Sequence, residues 1–512
     1  MNTITPDPDF SLPSRQSRAA IVIFVLKFVN NTFRKGWAAL VPIFIALRKF
    51  SLEDWQIYLL ATVIVLIYIS FSYLSYQRFY YYIMGDEIII EEGVLYRTKT
   101  SLPFDKVQTI NFKQNILQQV LGVLTLQIDS AGSSKQEINL EALKENRAKQ
   151  FRDYILDRKE KVAPSGTLEK RIAESGSDRE EDVDEKRKEK TLLHLKPIDL
   201  IKIGISQNHL RSIAIFGAFV WNTYAQLKEQ LDFDEDEKID QLTGIIGSEW
   251  LGRLGLLIAV ALILSLIVSL GITFFRNFNF RLTETSDGIK KRYGLMERHE
   301  QSTTLRKIQS ISWGDNLIKK IFGLFVFRMY PAASNELSRK KTISVPGSYQ
   351  KHVNALIDLI FGEQAAVDYS RHRMSKFFIQ RTTLFFGLLP AVLLAIVTYF
   401  FWGPYSAFFL LWFPLALAAT IVYYKKWMLY ISEEVVRIQY GVFSHQNKMI
   451  RLSKVQAVRL SQSPFQKRKN LAALDLYSAG RNFSFSYISY ELALQLQNYI
   501  LYKVESSTDK WM

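Results

Sequence analysis

A short spacing recurs three times along this 512-residue chain and constrains its fold more than any other feature. In each copy a glycine is followed, after twelve residues, by Lys, a β-branched apolar residue and Gln. Three matches in one frame exceed what chance gives at average composition, so the chain contains a triplicated unit. The signature residues are Gly93, Lys106 and Gln108; Gly294, Lys307 and Gln309; and Gly441, Lys454 and Gln456.

The residues around each signature predict a small β-rich module. An aromatic residue stands fourteen positions before each glycine and an acidic turn residue seven before it, a pattern that fits two strands and a tight turn. A short amphipathic stretch then ends at Gly122, Gly323 or Asn470, residue types that accept a positive φ. Further strands and an apolar-periodic helix close each copy. We expect the recurring glycine to form a turn and the recurring lysine to fix a strand edge.

Each module is preceded by a pair of apolar segments. Stretches of about 20 apolar residues match the hydrocarbon thickness of a bilayer. We therefore predict six membrane-spanning helices in three hairpins, rather than core helices of a soluble protein. Residues 18–30, which include Lys27, form a candidate interfacial amphipathic helix. The predicted spans lie at 37–47 with its flanks, 57–75, 209–227, 251–275, 384–402 and 405–424.

The distribution of charge predicts how these hairpins are oriented. The formal net charge is +16, and Lys and Arg concentrate outside the hairpins, whereas the loop at 228–250 is rich in acidic residues. The positive-inside rule then places both termini and all three modules in the cytoplasm. The chain has no cysteine, which excludes disulfides and thiolate chemistry. Residues 1–14 lack the pattern of a cleavable export signal.

The order of these features resembles a known family. A hairpin precedes the aromatic residue, two strands, the glycine, Lys-Val/Ile-Gln and a short helix, and copies one and three then read Ser-Ala-Gly at 130–132 and 478–480. This arrangement resembles the bacterial pleckstrin-homology (PH) domain of the YdbS/YdbT-like membrane proteins, in the triple form typical of YdbT-like members. Copy two departs from it, with Pro331-Ala332-Ala333 and an added loop over 335–341. The resemblance implies a small β-sandwich or partly open barrel in a bacterial inner-membrane protein whose role is largely undefined.

The predicted fold is that of an α+β multidomain integral membrane protein with three transmembrane helical hairpins. Each hairpin is followed by a PH-like β-sandwich or barrel with a C-terminal helix. The predicted segments are a disordered tail (1–14), an amphipathic helix and first hairpin (15–78), a first module (79–157), a charged linker (158–196), a second hairpin (197–278), a second module (279–363), a third hairpin (376–426) and a third module (427–505).

Motifs that would support catalysis are missing from the sequence. It contains no Gly-rich phosphate loop, no His-Glu-x-x-His and no nucleophile elbow, and its six histidines never fall at metal-ligand spacing on one element. We therefore predict a protein that is not an enzyme and uses no cofactor or metal. The alternative is a transporter or channel subunit with the modules as an assembly platform. The better-defined spans hold almost no charge beyond Arg211.

Basic clusters near the modules supply the candidate functional residues. Anionic lipid headgroups attract such clusters by about 1 kcal/mol per Lys or Arg near the surface. Copies two and three are basic in the short helix where copy one has Gln118-Gln119, so we expect copies two and three to lay this helix on the bilayer. The candidate lipid-surface or partner contacts are Lys319, Lys320, Arg339, Lys340, Lys341, Lys467, Arg468 and Lys469.

Three interpretations of these clusters stay open from sequence alone. They are recognition of anionic headgroups, the charge bias that topology gives any membrane protein, and protein recognition along an open strand edge. Nucleic acid is not expected, because no base-stacking aromatic residues interleave with the cations. The expected partners are the lipid bilayer with its anionic headgroups, further copies in a homo-oligomer, or a second membrane PH-domain protein. The sequence thus predicts a scaffold or regulator at the inner membrane, with envelope homeostasis as one setting for that role.

Overall fold

The computed structural model of the protein describes residues 10–27, 54–130, 137–162, 190–207, 250–286, 288–332, 342–362 and 369–506, together with positions 218 and 222. The chain divides into two compact units. Unit 1 comprises Met1–Lys188 and Lys290–Ser302, and unit 2 comprises Glu189–Ile289 and Thr303–Met512.

The three modules repeat one order of elements: three strands, a 3₁₀ turn, a fourth strand, a short helix, two more strands and a closing helix. Module 1 follows two helices, α1 (19–27) and α2 (Asp54–Gln77). Its elements are β1 (Tyr80–Met84), β2 (Glu87–Glu92), β3 (Thr98–Pro103), β4 (Val107–Gln114), α3 (Ile116–Val120), β5 (Val123–Ser130), β6 (Glu137–Lys144) and α4 (Glu145–Val162).

Module 2 is preceded by a strand and two helices: β7 (Lys190–His194), α5 (Pro197–Ile205) and α6 (Trp250–Asn277). The module itself repeats the order seen in module 1. Its elements are β8 (Arg281–Thr285), β9 (Gly288–Tyr293), β10 (Arg298–Thr304), β11 (Ile308–Gly314), α7 (Leu317–Ile321), β12 (Phe325–Pro331), β13 (Ile343–Ser348) and α8 (Gln350–Phe361).

Module 3 is preceded by a strand and three helices: β14 (Ser370–His372), α9 (Phe377–Thr383), α10 (Leu389–Trp402) and α11 (Trp412–Lys426). Its own elements are β15 (Met428–Ile431), β16 (Val435–Tyr440), β17 (Gln446–Arg451), β18 (Ala457–Ser461), α12 (Pro464–Lys467), β19 (Leu471–Tyr477), β20 (Phe483–Ser489) and α13 (Tyr490–Ser506).

Unit 1 builds its core between two antiparallel sheets and the closing helix of module 1. Strands β1, β2 and β3 form one sheet, and β4, β5 and β6 form the other. Tyr81, Leu126 and Phe151 are fully buried between them. The sheet of β4 continues into module 2, because β10 pairs antiparallel with the free edge of β4.

Unit 2 repeats this arrangement at the next module boundary. A seven-stranded sheet runs in the order β13-β12-β11-β17-β16-β15-β14, so the second sheet of module 2 is continuous with the first sheet of module 3. Strands β18, β19 and β20 form a separate three-stranded sheet. Leu474 and Phe485 pack with Leu496 of α13 in the core of module 3.

The third predicted hairpin lies within the described residues. Phe377–Lys426 is an apolar helical run of 50 residues, the one run among the described residues that is long and apolar enough to cross a membrane. It contains α9, a π-helical segment (Leu384–Leu388), α10, a 3₁₀ segment (Gly403–Leu411) and α11. A Cβ on Gly387 would lie 3.1 Å from the Cβ of Ala416, so the run folds back on itself.

The first and second predicted hairpins lie partly outside the described residues. Helices α2 and α6 are described and carry shorter apolar stretches at Thr62–Gln77 and Leu262–Asn277. The predicted partner of α2 falls within 28–53, which lies outside the described residues. The predicted partner of α6 falls within 208–249, of which only positions 218 and 222 are described. Six spans in three hairpins therefore stay a prediction.

The structure differs from two predicted segment boundaries. The tail predicted over 1–14 includes Phe10, which is buried against Phe151 and Tyr154 with ring centroids 5.0 and 5.5 Å apart. The linker predicted over 158–196 includes β7, which pairs with β8 and buries Leu193. In both places one or two apolar side chains in a polar stretch are enough to dock the backbone on a sheet edge.

The candidate amphipathic helix packs on protein rather than standing alone. Within 18–30, residues 19–27 form α1. Ala20 and Ile23 on one face of α1 are buried in a cluster with Val123 and Ala142 of module 1. Lys27, one turn beyond Ile23 on the same face, pairs with Glu141 next to Ala142. The apolar stripe that the sequence shows is therefore used, at least in part, to attach α1 to its own module.

Candidate anion-binding site

The signature residues lie in turns and in the connections between strands. Gly93, Gly294 and Gly441 have φ of 114°, 104° and 137°. At each of them a Cβ would lie within 2.2 Å of a backbone oxygen three residues on. No side chain fits there, so these glycines are required by the turn before β3, β10 and β17.

The recurring lysine and glutamine do not come together as a site. Lys106, Lys307 and Lys454 each end the 3₁₀ turn that leads from the third strand of a module into the fourth. Gln309 is buried and Gln456 is exposed, whereas the side chain of Gln108 lies outside the description. This differing exposure favours a structural role for the motif over a shared ligand contact.

The short helices α3, α7 and α12 begin with the same cap. Asn115, Asn316 and Ser463 each accept a hydrogen bond from the backbone N–H three residues on. In modules 1 and 3 that third residue is a buried glutamine, Gln118 or Gln466, whose side chain closes a capping box. Module 2 has Lys319 at this position.

Lys319 is therefore not a surface residue, contrary to the sequence prediction. Its Nζ donates to the backbone oxygen of Ser206 at 3.0 Å, and the residue is 8% exposed. Burial, and to a lesser extent the nearby Arg328 cation, lower the pKa of its ammonium group. The physical reason is the cap, because the third helical position points back over the start of the helix and into the module.

The other predicted cations divide into two groups. Arg339, Lys340 and Lys341 lie outside the described residues. Those that the structure describes on α7 and around the end of α12 are all exposed, namely Lys320, Lys467, Arg468 and Lys469.

Exposed apolar side chains accompany these cations on the short helices. Ile321 on α7 is 80% exposed and Phe465 on α12 is 50% exposed. The Arg381 guanidinium of α9 lies 5.5 Å from the centroid of the Phe465 ring. Helix α12 therefore adjoins the start of the apolar helical run, with cations and an aromatic ring available at that level.

A second cationic group lies on the shared sheet of unit 2, where sequence spacing did not indicate it. Ser312 of β11 stands directly opposite Lys448 of β17 on one side and Arg328 of β12 on the other. Arg481, from the loop before β20, donates from Nη1 to the hydroxyl of Tyr330. We call Arg328, Lys448 and Arg481 the junction cations.

Tyrosines and serines surround the junction cations. The Tyr330 hydroxyl lies 3.0 Å from Ser312 Oγ, and the Arg481 guanidinium lies 5.1 Å from the Tyr330 ring centroid. The Lys448 ammonium lies 5.0 Å from the ring centroid of Tyr440. Ser310 Oγ, two residues away along the same strand, is buried without a hydrogen-bond partner among the described residues. The surroundings offer hydroxyl groups rather than carboxylates.

The junction cations carry positive charge that no neighbouring carboxylate neutralises in the described residues. Burial lowers the pKa of Lys448, and the Arg481 cation lowers it further. Burial raises the pKa of Tyr440, while Arg481 and Arg328 act on it in the opposite direction. Across the described residues, none of the junction cations forms an ion pair with a carboxylate. Arg328, Lys448 and Arg481 are all partly buried, and partly desolvated cations without counter-charge favour an anion as their partner.

The equivalent row at the first module boundary is neutral. Gln127 and Gln301 stand where module 2 has Arg328 and module 3 has Lys448. The cations are therefore specific to the junction of modules 2 and 3 and are not imposed by the fold. Guanidinium and ammonium groups beside hydroxyl donors suit a phosphate or similar oxyanion. The junction cations could have been grouped only from the strand register, because they come from three separated segments of the sequence.

The histidines and carboxylates of the described residues do not form a metal-binding cluster. No set of three or more His, Asp or Glu residues among those described could hold a metal ion. The His299 ring stacks on Tyr293 with centroids 5.1 Å apart, and burial, followed by the Lys113 cation, lowers its pKa. His209, the histidine that the sequence places at the mouth of a span, lies outside the described residues.

Comparison with known proteins agrees with the repeated architecture. A family model described as "Bacterial PH domain" matches residues 22–159, 241–364 and 384–504. The chain is also similar to the "UPF0699 transmembrane protein YdbT" of Bacillus subtilis (strain 168), with 23% identity over 407 residues, which cover 79% of this chain and 80% of that protein. No solved structure gives a significant match.

The resemblance stated from the sequence is thereby confirmed. The three matched segments together cover well over half of the chain, and each contains one complete signature from glycine to glutamine. The triple module, the capped short helix and the closing helix all recur in the structure in the same order. On these grounds the chain belongs to the bacterial PH domain family.

Proposed function

We propose that this protein is a multi-pass protein of the bacterial inner membrane that acts as a non-catalytic scaffold or regulator. Its modules face the cytoplasm, and the junction cations bind the phosphate groups of anionic lipid headgroups. The observation that carries the proposal is the row Lys448, Ser312 and Arg328, joined by Arg481, without a carboxylate partner in the described residues.

The position of the junction cations relative to the apolar run supports a lipid source for the phosphate. Tyr440, which lies beneath the Lys448 ammonium, has its ring centroid 6.4 Å from that of Tyr423. Tyr423 belongs to α11, the last helix of the apolar run. Lys426 at the end of α11 donates to the backbone oxygen of Val442. The Tyr440 ring therefore connects Lys448 with α11, close to the place where the run meets its module.

The cations around α12 support the same assignment by a separate route. Lys467, Arg468 and Lys469 are exposed next to Phe465, which contacts Arg381 at the start of the run. An aromatic ring flanked by cations suits the interface between headgroups and acyl chains. The similarity to a protein named as transmembrane agrees with this placement. Orientation toward the cytoplasm rests on the positive-inside distribution of charge.

The test compares thermal unfolding of the full-length protein in nanodiscs that contain phosphatidylglycerol or only phosphatidylcholine. We expect the anionic lipid to raise Tm, because a ligand at 100 times its Kd stabilises by about 2.7 kcal/mol. The R328Q/K448Q variant should lose most of this increase. The K149Q/K351Q variant, which removes the same number of charges from α4 and α8, should retain it.

A further arm distinguishes lipid from free phosphate. Inorganic phosphate added to the phosphatidylcholine sample should give little stabilisation if the ligand is a headgroup. Equal stabilisation by phosphate alone would assign the site to a soluble anion. The proposal fails if both lipids give the same Tm, or if R328Q/K448Q responds to phosphatidylglycerol as the native protein does.

A further inference from the structure

The two module junctions use equivalent strands in the same register. At the first junction, within unit 1, Lys113 of β4 is opposite His299 of β10. At the second junction, within unit 2, Gly314 of β11 is opposite Gln446 of β17. In both pairs the first residue lies twenty positions after its module's signature glycine and the second lies five positions after the next one. The junction is therefore a repeated interface with a fixed register.

Next to the Lys113–His299 pair of the first junction, three side chains contact one another. Phe112 stands opposite Glu300. The Arg152 guanidinium lies 5.0 Å from the Phe112 ring centroid, and its Nη1 donates to Glu300 Oε1 at 3.1 Å. An aromatic residue of the earlier module thus faces a polar residue of the later one, and an arginine contacts both.

The second junction repeats this pattern with different residues. Trp313 stands opposite Asn447. The Arg437 guanidinium lies 5.1 Å from the Trp313 ring, and its Nη2 donates to Asn447 Oδ1 at 2.9 Å. The same three chemical types therefore recur in the same register, although the arginine comes from a closing helix in one junction and from a strand in the other.

The strands equivalent to these partners are edges at the two ends of the series. Strand β18 is the module 3 equivalent of β4 and β11, and β3 is the module 1 equivalent of β10 and β17. In the described residues β18 pairs only with β19, and β3 pairs only with β2. By contrast, the opposite edge of the β1 sheet is covered by Ser14, which bridges to Tyr81. Each end thus presents one half of a junction.

The geometry points to a third junction of the same kind, formed between β18 of one copy of the protein and β3 of a second copy. The repeated register sets Ser461 opposite Thr98, Leu460 opposite Lys99 and Arg459 opposite Thr100. The occupant is a second copy of this chain, because the chain itself carries the matching half of the interface on each end. The inference does not depend on lipid binding.

The side chains of the two edges are compatible with this pairing. Thr98, Lys99, Ala457 and Arg459 are exposed, whereas the paired strand β11 is buried along its whole length. The proposed pairs oppose no two charges of like sign, and the stretches 98–102 and 457–461 contain no proline. Leu460 would face Lys99 at the position where the internal junctions place Phe112 or Trp313 against a polar residue.

The proposed contact is head to tail, because the two copies contribute different strands. Such a heterologous contact either closes into a ring or continues as a row. It differs from a two-fold dimer, in which one edge would pair with itself. This distinction gives the experiment its controls.

Cross-linking tests the register directly, since the native chain has no cysteine. Two differently tagged full-length chains, one Thr98→Cys and the other Ser461→Cys, are co-expressed and oxidised in membranes. Directly opposite residues in antiparallel strands have Cα atoms about 4.5–5.5 Å apart, within the range for a disulfide. We expect a product at twice the chain mass that carries both tags.

Three controls determine the outcome. The equivalent within-chain pair K113C/H299C should form a disulfide at monomer mass, and either single variant expressed alone should stay largely uncross-linked. Thr98→Cys with Ala457→Cys, about 13 Å out of register, should give at least tenfold less product. The proposal is overturned if K113C/H299C reacts while the Thr98/Ser461 combination does not. A Thr98/Thr98 product, an equal out-of-register yield, or a product with a different protein would also overturn it.

Discussion

Lys319 occupies the third position of α7, where modules 1 and 3 have buried glutamines. The residue type predicts exposure, and the position in the cap determines burial instead. Asn316, three residues earlier, could have indicated this burial from the sequence. An Asn, Ser, Thr or Asp cap directs the third helical residue back toward the helix start. Lys320, one residue on, is exposed as the sequence led us to expect.

Replacing Lys319 with Gln should restore the capping box of the other modules. Ser206 keeps the hydrogen bond from Asn316 Nδ2 at 2.9 Å, so its backbone oxygen stays satisfied. We expect K319Q to be as stable as the native protein or more stable, by on the order of 1 kcal/mol, because a desolvated cation is removed. Thermal unfolding at neutral pH measures the difference.

The pH dependence of that difference follows from the lowered pKa of Lys319. Below the folded-state pKa the residue is charged in both states, and the burial penalty is fully present. As pH rises through the lowered pKa toward the ordinary value of about 10.4, the folded state loses its proton first and the penalty declines. The advantage of K319Q should therefore shrink as pH approaches 10. A K319Q protein clearly less stable than the exposed-site control K320Q would contradict this account.

Within the third hairpin, a proline and a tryptophan act together as one structural element. Pro390 lacks an N–H, so the carbonyl of Phe386 four residues earlier has no helical donor. The helix adopts its π-helical segment at Leu384–Leu388, immediately before this point. Trp412 Nε1 from the returning helix donates to the Phe386 oxygen at 2.9 Å. The bend in one helix thus provides the hydrogen-bond acceptor for the next.

Replacing Trp412 with Phe should leave that carbonyl unsatisfied in an apolar environment. We expect a loss of about 0.5–2 kcal/mol, a range that allows for the modest strength of such bonds in membranes. Replacing Pro390 with Ala restores a backbone donor, so W412F should cost less in a P390A background. A double-mutant cycle of thermal unfolding in detergent measures the coupling. Additive effects of the two substitutions would show that the two residues act independently.

The sequence predicts a hairpin over 376–426, and the apolar helical run Phe377–Lys426 spans nearly the same residues. It could not identify Trp412 as the compensating donor, because that pairing depends on how the two helices align after the turn. Likewise, the repeat predicted the strands and the closing helices. The sequence did not predict that neighbouring modules share sheets, because main-chain pairing leaves no motif in the side chains.

Across the whole molecule, the shared sheets explain why the junction cations escaped prediction. Arg328, Lys448 and Arg481 belong to β12, β17 and the loop before β20, in two different modules. Only the register of β11 with both neighbours brings the first two to either side of Ser312. The basic clusters visible in the sequence are local runs, whereas this site is assembled across more than 150 residues.

Gly480 allows module 3 to approach module 2 at this junction. A Cβ there would lie 2.9 Å from the backbone oxygen of Tyr330 and 3.0 Å from the Cβ of Gln309. Replacing Gly480 with Ala should therefore separate the two modules locally and destabilise the protein by about 1–3 kcal/mol. Thermal unfolding and limited proteolysis of the full chain measure the effect. Ala479→Ser, at the neighbouring position, is the matched control, and equal behaviour of the two variants would contradict the role given to Gly480.

The common register of the two junctions also bears on how such a chain could arise. Module 2 carries one half of the interface on its third strand and the other half on its fourth, and modules 1 and 3 have the equivalent strands. A gene duplication that copies one module therefore copies both halves, and the new module can join its neighbour without further adaptation. Module number can grow in this way while the two terminal edges keep their identity. Side chains in and beside the junction can still diverge while the register is kept, as the change from Gln127 and Gln301 at one boundary to Arg328 and Lys448 at the next illustrates.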